Sequence, residues 1–428
     1  MAGEATKNDK AWADLFTKYK ILENVQRQGY IEITASAINE FREARLMTKF
    51  DHRANLPELF AKNKLAILPI TRGSYIISNF EAYKDFEQIE TEITSAIFPV
   101  HIESIDYENI TSEATAINCA YVSGILADFI NDEELLPTVS GRMSSNKFSF
   151  DIRNIKTRSN VAVNVINSQV EIDGGYEGVS KLSLIEAKNF LSSDFLIRQL
   201  YYPYRLWLNN VTKKVVPIFL VYSNSIFTLY EYEFQNINNY NSLVLVKQKN
   251  YSLDSVEIVL DDIITVLDKA KITSEPEISF PQADSFKRVI NLCELLFDGS
   301  KTKDEITMNY AFDERQTNYY TDAGRYLGLI NKSKDDGKIT FTLSDEGRKV
   351  IRLKYKPKQL RFIELILSHR VFNIILRQYL QNGEMPKKQE IVSVMKQSNL
   401  FRIGKEDTYQ RRSSTISGWI NWILDLQR

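Results

Sequence analysis

Residues 170–188 read Val-Glu-Ile-Asp-Gly-Gly-Tyr-Glu-Gly-Val-Ser-Lys-Leu-Ser-Leu-Ile-Glu-Ala-Lys, and no other stretch constrains the chain as tightly. Two apolar, strand-like runs flank a Gly-rich turn. The first ends in Asp173 and the second carries Glu186-Ala187-Lys188. Side chains alternate along a strand, so Glu186 and Lys188 share a face, and Ala187 points into the core with its carbonyl still in reach of the site. Leu182, Leu184, Ile185 and Ala187 make Glu186 an acid within a buried strand. Charge seldom goes there without a partner or a task. This is also the only Glu-x-Lys triplet in the sequence. Two carboxylates beside a lysine suit a hard cation such as Mg2+, which takes one or two protein carboxylates and keeps several waters. Such an ion polarises a phosphoryl oxygen and acidifies a bound water. Lys188 can hold that water or the phosphate as a point charge. The competing reading is a sheet-edge pair of Glu186 with Lys188, with Asp173 merely starting a turn.

At these residues the chain resembles the PD-(D/E)XK nuclease superfamily. The following segment, from Asp194 to Trp207, resembles the helix that succeeds the signature in type II restriction endonucleases. The resemblance covers about residues 140–240, and it departs from the family name in one place, because Ile172 stands where the proline is expected. It implies an α/β (α+β) fold with a mixed sheet flanked by helices. It implies Asp173 and Glu186, with the Ala187 carbonyl, as ligands of Mg2+, and Lys188 as the catalytic lysine. Glu171 and Glu177 are auxiliary acids by the same resemblance, and Gln199 is a candidate supporting residue on the helix. Asp194, after Ser192-Ser193, reads as the N-cap of that helix. Val215–Tyr222 and Ile226–Phe234 read as a hairpin completing the sheet.

At 428 residues, with 43% apolar and 25% charged content, the chain reads as an ordinary globular protein of more than one domain. Its 16 glycines include no phosphate-binding loop or dinucleotide fingerprint, which argues against a nucleotide-driven motor. Cys119 and Cys293 stand far apart in apolar settings, as expected of reduced thiols in a cytoplasmic protein. The three histidines show no zinc spacing. No apolar stretch reaches transmembrane length, so no membrane partner is expected, and the polar N-terminus lacks a signal-peptide core.

Net charge is −1, but it is unevenly spread. Residues 347–428 hold 17 Lys and Arg against 6 Asp and Glu, an excess of +11, which leaves the preceding residues at −12. A basic block on an acidic body suits phosphate. The C-terminal part of the chain also has a winged-helix look. Phe286–Leu296, Thr302–Met308 and Asp313–Leu329 read as three helices, and Lys338–Leu343 as a strand after an Asp-Asp-Gly turn. The third helix presents Arg315, Gln316 and Asn318, residue types that read G and A in the major groove. A second trio follows: Leu360–Leu380, Lys388–Met395 and Asp407–Leu426. Its last helix leads with Gln410, Arg411 and Arg412 and closes on Trp419, Trp422 and Ile423, as a recognition helix anchored at its far end would. Arg142, Ser144, Asn146 and Lys147, in a polar loop at 141–150, are further candidates for touching DNA.

Toward the N-terminus, Lys10–Gln28 and Ala35–Thr48 look helical, and Leu65–Ile70 with Ile76–Phe80 looks like a strand pair. Linkers are expected at Thr273–Ser285 and Lys354–Lys358. The expected divisions are therefore an N-terminal mixed region (1–135), a catalytic domain (136–272), a winged-helix-like domain (283–353) and a second basic helical module (359–428). Together these features lead one to expect a type II, Mg2+-dependent endonuclease acting on double-stranded DNA as a homodimer, with a companion DNA methyltransferase. The alternatives are a structure-specific or modification-dependent nuclease, and a winged-helix DNA-binding regulator with an inactive nuclease-like sheet.

Overall fold

Glycine is as compatible with a strand irregularity as with a turn, and here it forms both. A computed structural model describes residues 6–87, 89, 92–335 and 337–427. In it the Asp173 strand runs from Gln169 through Gly174 and Gly175 to Glu177, and the Glu186 strand spans Lys181–Lys188. The expected turn at Gly174-Gly175 therefore lies at residues 178–180 instead. Asp132 fixes it there by accepting bonds from the backbone nitrogens of Ser180 (3.0 Å) and Lys181 (2.8 Å).

These two strands lie in a seven-stranded sheet whose order runs Ile93–Ser95, Leu243–Ser252, Ile226–Phe234, Lys214–Ser223, Lys181–Lys188, Gln169–Glu177 and Leu136–Ser144. The Glu186 strand is antiparallel to the Asp173 strand and parallel to Lys214–Ser223, with Glu186 opposite Phe219. The helix Arg198–Leu208 makes the crossover between the two parallel strands. The hairpin expected at 215–234 is present, as Lys214–Ser223 followed by Ile226–Phe234.

The strand pair Lys147–Arg153 and Asn160–Ile166 forms a separate ribbon whose alternate residues, Phe148, Phe150, Val163 and Val165, join a core with Leu182, Leu184, Leu200, Tyr201 and Tyr202. The opposite face of the Asp173 strand meets the helix Glu113–Val122. A side-chain carbon added at Gly174 would lie 3.3 Å from Ile117, and Tyr176 packs on Tyr121 at 5.0 Å. N-terminally, a helical layer built on Trp12, Phe16 and Phe60 covers a three-stranded sheet of Tyr30–Thr34, Ser74–Ser78 and Ala66–Pro69. The two helical runs expected there are each broken in two, as Lys7–Lys18 with Ile21–Gln28 and Ala35–Asn39 with Ala44–Met47.

The chain divides into two compact units. One comprises residues 1–94, 116–222 and 227–251, and the other residues 95–115, 223–226 and 252–428. In the second unit, helices Phe286–Leu295, Lys303–Asn309 and Glu314–Tyr326 precede a hairpin of Ile330–Asp335 and Lys338–Leu343, which Lys301–Thr302 extends to three strands. The long helix expected at 360–380 is two, Tyr355–Leu367 and Arg370–Asn382, separated at Ser368-His369. Pro357, expected in a linker, instead occupies the first turn of a helix, where its missing N–H costs nothing. Phe286, Cys293, Phe341, Phe362, Phe372, Trp419 and Trp422 belong to one core, so the two helical regions are not separate bodies.

Candidate functional site

The site begins with an irregularity in pairing. Gly141 faces Ile172 and Val139 faces Gly175, so Asp173 and Gly174 together stand opposite the single Ser140. This is a β-bulge, the device that bends a strand and re-aims a side chain. On the other side, the register Leu184–Gly175 and Ile185–Gly174 brings Asp173 level with Glu186 one residue further on. Asp173 Oδ2 accepts a 2.9 Å bond from the backbone N–H of Ala187, which fixes its carboxylate against the Glu186 strand.

Glu186 and Lys188 are 9% and 8% exposed. Lys188 Nζ donates to Glu186 Oε1 at 2.6 Å and to the Ala187 carbonyl at 2.9 Å. Gln199, one residue into its helix, donates its Nε2 to the same Glu186 oxygen. Its Oε1 is buried with no hydrogen-bond partner among the described residues. Gln199, Glu171, Ile172, Leu184, Glu186 and Pro203 are among the residues lining a recess of about 10 Å3, roughly the space of one water. Burial pushes the Glu186 carboxyl up to about 8. Lys188 opposes this, while the nearby charges of Asp173 and Asp51 add to it.

The structure thus brings together Asp173, Glu186, the Ala187 carbonyl, Lys188 and Gln199. Glu171 lies at the rim, paired with Arg142 at 3.2 Å. Glu177 does not join them, because it is bound by Lys213 at 2.7 Å at the far end of the strand. No group of three or more His, Cys, Asp or Glu able to hold a metal occurs among the described residues. Two carboxylates and a carbonyl nonetheless form the hard-oxygen set that a hydrated Mg2+ takes. The Lys188 ammonium already sits against two of those three donors, so the pocket's electrostatics accept a cation there.

Sequence reasoning missed a second layer. Asp194 is not a helix N-cap. It lies in a short strand, Asp194–Leu196, paired with Tyr83–Asp85. Its carboxylate accepts the Arg53 backbone N–H (3.2 Å) and Arg53 Nη1 (3.1 Å), and its carbonyl faces His52 Nδ1. The Asp51 carbonyl accepts the Leu196 N–H at 2.9 Å. Residues 51–53 therefore flank the segment leading to Gln199. With Arg53 and Asp194 separated by 141 positions, no spacing signal could have exposed this pairing.

The candidate DNA contacts are scattered. Arg142 and Ser144 lie on a strand rather than in the expected loop. Ser144 Oγ donates to Asn167 at 3.4 Å, Asn146 turns the chain with φ at 59°, and Lys147 opens the next strand. In the second unit, Arg315 and Asn318 are exposed on their helix. Gln316 is engaged by its carbonyl oxygen in capping Asp313. Gln410 bonds Glu406 at 3.4 Å, Arg411 is exposed and Arg412 is half-buried.

Three family models match consecutive parts of the chain, each described as a domain of unknown function: DUF6996 over residues 9–77, DUF6997 over 78–252 and DUF7226 over 288–428. The acid–lysine cluster falls in the second, and Asp51–Arg53 in the first. No curated protein and no solved structure matches the chain. No helix among the described residues is long and apolar enough to cross a membrane.

Proposed function

We propose that this chain is a Mg2+-dependent endonuclease of double-stranded DNA, of the type II restriction kind that the PD-(D/E)XK resemblance implies. The observation that carries the reading is the convergence of Asp173, Glu186, the Ala187 carbonyl and Lys188 at a strand bulge, with Gln199 from the next helix bound to Glu186. The mixed sheet, in which the Glu186 strand runs parallel to Lys214–Ser223, also supports it, as does the winged-helix order of helices and hairpin in the second unit.

Asp173, Glu186 and the Ala187 carbonyl would hold the ion. When bound, it supplies Lewis-acid polarisation of the scissile phosphate and a water of lowered pKa. The protein's own share is positional. Asp173 is anchored by the Ala187 N–H, Gln199 orients Glu186, and Lys188 swings from its present acceptors to the phosphate or the attacking water. Cutting both strands calls for two copies, so a homodimer is part of the proposal. A companion methyltransferase protecting host DNA and a cytoplasmic location follow from the same reading.

The test is digestion of methylated and unmethylated genomic DNA and of plasmid, with and without Mg2+, by wild type and by Asp173→Ala, Glu186→Ala and Lys188→Ala. Metal-dependent cutting that each substitution abolishes, with duplex binding retained, is expected. Undiminished cutting by any of the three removes this site from the chemistry.

A further inference from the structure

The sequence offers two separate candidate DNA-reading helices, Glu314–Tyr326 and Glu406–Leu424, but the structure packs both onto one body. Trp419 of the terminal helix stacks on Phe372 at 5.1 Å and meets Phe286 edge-on at 5.0 Å. Its Nε1 donates to the Ala283 carbonyl at 2.7 Å, and Thr415 Oγ1 donates to Asp284 at 2.8 Å. Gly418 lies so close to the Asp284 backbone that any side chain there would collide with it. The terminal helix is thus clamped to the start of Phe286–Leu295, and that helix in turn packs on Glu314–Tyr326.

The outcome at the surface is a group of cations drawn from both helices. Arg412 is half-buried among Arg411, Tyr319 and Asp322, and its charge is disfavoured by burial first and by Arg411 next. Its Nε and Nη1 are shielded from solvent and have no hydrogen-bond partner among the described residues. Asp322, the nearby carboxylate, is engaged by Arg325 at 2.7 Å. Arg315 lies over Tyr319 and donates to its hydroxyl at 3.2 Å. The adjoining hairpin exposes Lys332, Lys334 and Lys338. An incompletely compensated guanidinium held beside a second one is costly by itself, and an anionic ligand would relieve that cost.

We infer that the two helices form one composite face for duplex DNA, in which Arg315, Arg411 and Arg412 take backbone phosphates beside Asn318 and Tyr319. The inference rests on the reading of this chain as a DNA-acting protein, and it adds that neither helix binds alone. Duplex phosphates fit better than an acidic peptide, because the cations are spread over two helices and a hairpin, as a repeating polyanion requires.

The test is fluorescence anisotropy of a mixed-sequence duplex across a salt titration, with Ca2+ replacing Mg2+, on the full chain and its Arg315→Gln, Arg411→Gln and Arg412→Gln variants. Melting by circular dichroism serves as the folding control. Each variant should weaken binding and flatten the plot of log affinity against log salt by about 0.9, the slope of one lost phosphate contact. If Arg412→Gln unfolds, the exposed Arg411 and Arg315 decide the matter. The composite face is overturned if wild type does not bind the duplex, or if variants on only one of the two helices change the slope. Plasmid cleavage by the same preparations separates the two ideas. Cutting with unchanged slopes sinks only the face, whereas slope changes without any cutting sink only the nuclease.

Discussion

Replacing Glu186 by Gln should remove a pH dependence of stability from the first unit. Glu186 is raised to about 8 in the folded chain by burial, against about 4.3 for an unperturbed glutamate. Below the unfolded value both states hold the proton, and this group adds no pH dependence. Between the two values the folded state keeps the proton that the unfolded state has released, so stability falls as pH rises, by about 1.4 kcal/mol per unit. Above the folded value the loss is complete. By pH 7 the accumulated cost is roughly 3–4 kcal/mol, or a shift of about 6–16 °C in the melting of a unit of roughly 230 residues. Glutamine keeps the shape and can still accept from Lys188 and Gln199, but it has no proton to lose. Thermal melts of wild type and Glu186→Gln in chelator, from pH 5 to pH 9, should therefore diverge, with wild type falling and the variant nearly flat. Adding Mg2+ or Ca2+ should restore wild type most at high pH and leave the variant unmoved, because the cation and the proton compete for one carboxylate. Parallel melting curves for the two proteins across that range would refute the claim that this carboxyl is desolvated.

Three further outcomes follow from the packing. A side-chain carbon at Gly175 would fall 2.6 Å from the Val139 Cβ, so Gly175→Ala should cost about 1–3 kcal/mol in denaturant unfolding and impair cleavage by displacing the bulge beside it. Arg53→Ala strips the guanidinium from the buried Asp194 carboxylate while keeping the backbone N–H of position 53. A loss of about 1–3 kcal/mol is expected, and Asp194→Asn in the same background should recover part of it. Trp419→Phe keeps the ring stack but strips the donor from the Ala283 carbonyl. It should cost about 1–2 kcal/mol and weaken duplex binding through the terminal helix, which a filter or anisotropy assay would detect.

The strands of the central sheet were legible because β-branched and aromatic runs such as Val215–Tyr222 have few alternatives. The acid–lysine cluster was legible because its members lie within sixteen residues of each other, on neighbouring strands. The bulge was not, since a Gly-Gly pair signals a turn and a strand irregularity equally well, and only Val139 and Asp132 decide between them. Asp194 after two serines has the local chemistry of an N-cap, and a long-range partner, Arg53, overrode it. The interruption at Ser368-His369 escaped notice because apolar periodicity continues through it, from Phe362, Ile363 and Ile366 to Val371, Phe372 and Ile375. The merging of the two helical regions depends on Phe286, Phe372 and Trp419 meeting across more than a hundred residues, which no window-based pattern can register.

The strand Ser74–Ser78 bears on how this chain can be inherited. The limit between the first two family matches falls inside it, after residue 77, yet Ser78 pairs with both Tyr30 and Ala66. Further on, Asp51–Arg53 closes over Asp194–Leu196. A gene fragment beginning at codon 78 would keep only Ser78 of this three-stranded sheet and an aspartate stripped of its arginine. The two segments should accordingly pass between genomes as one cassette.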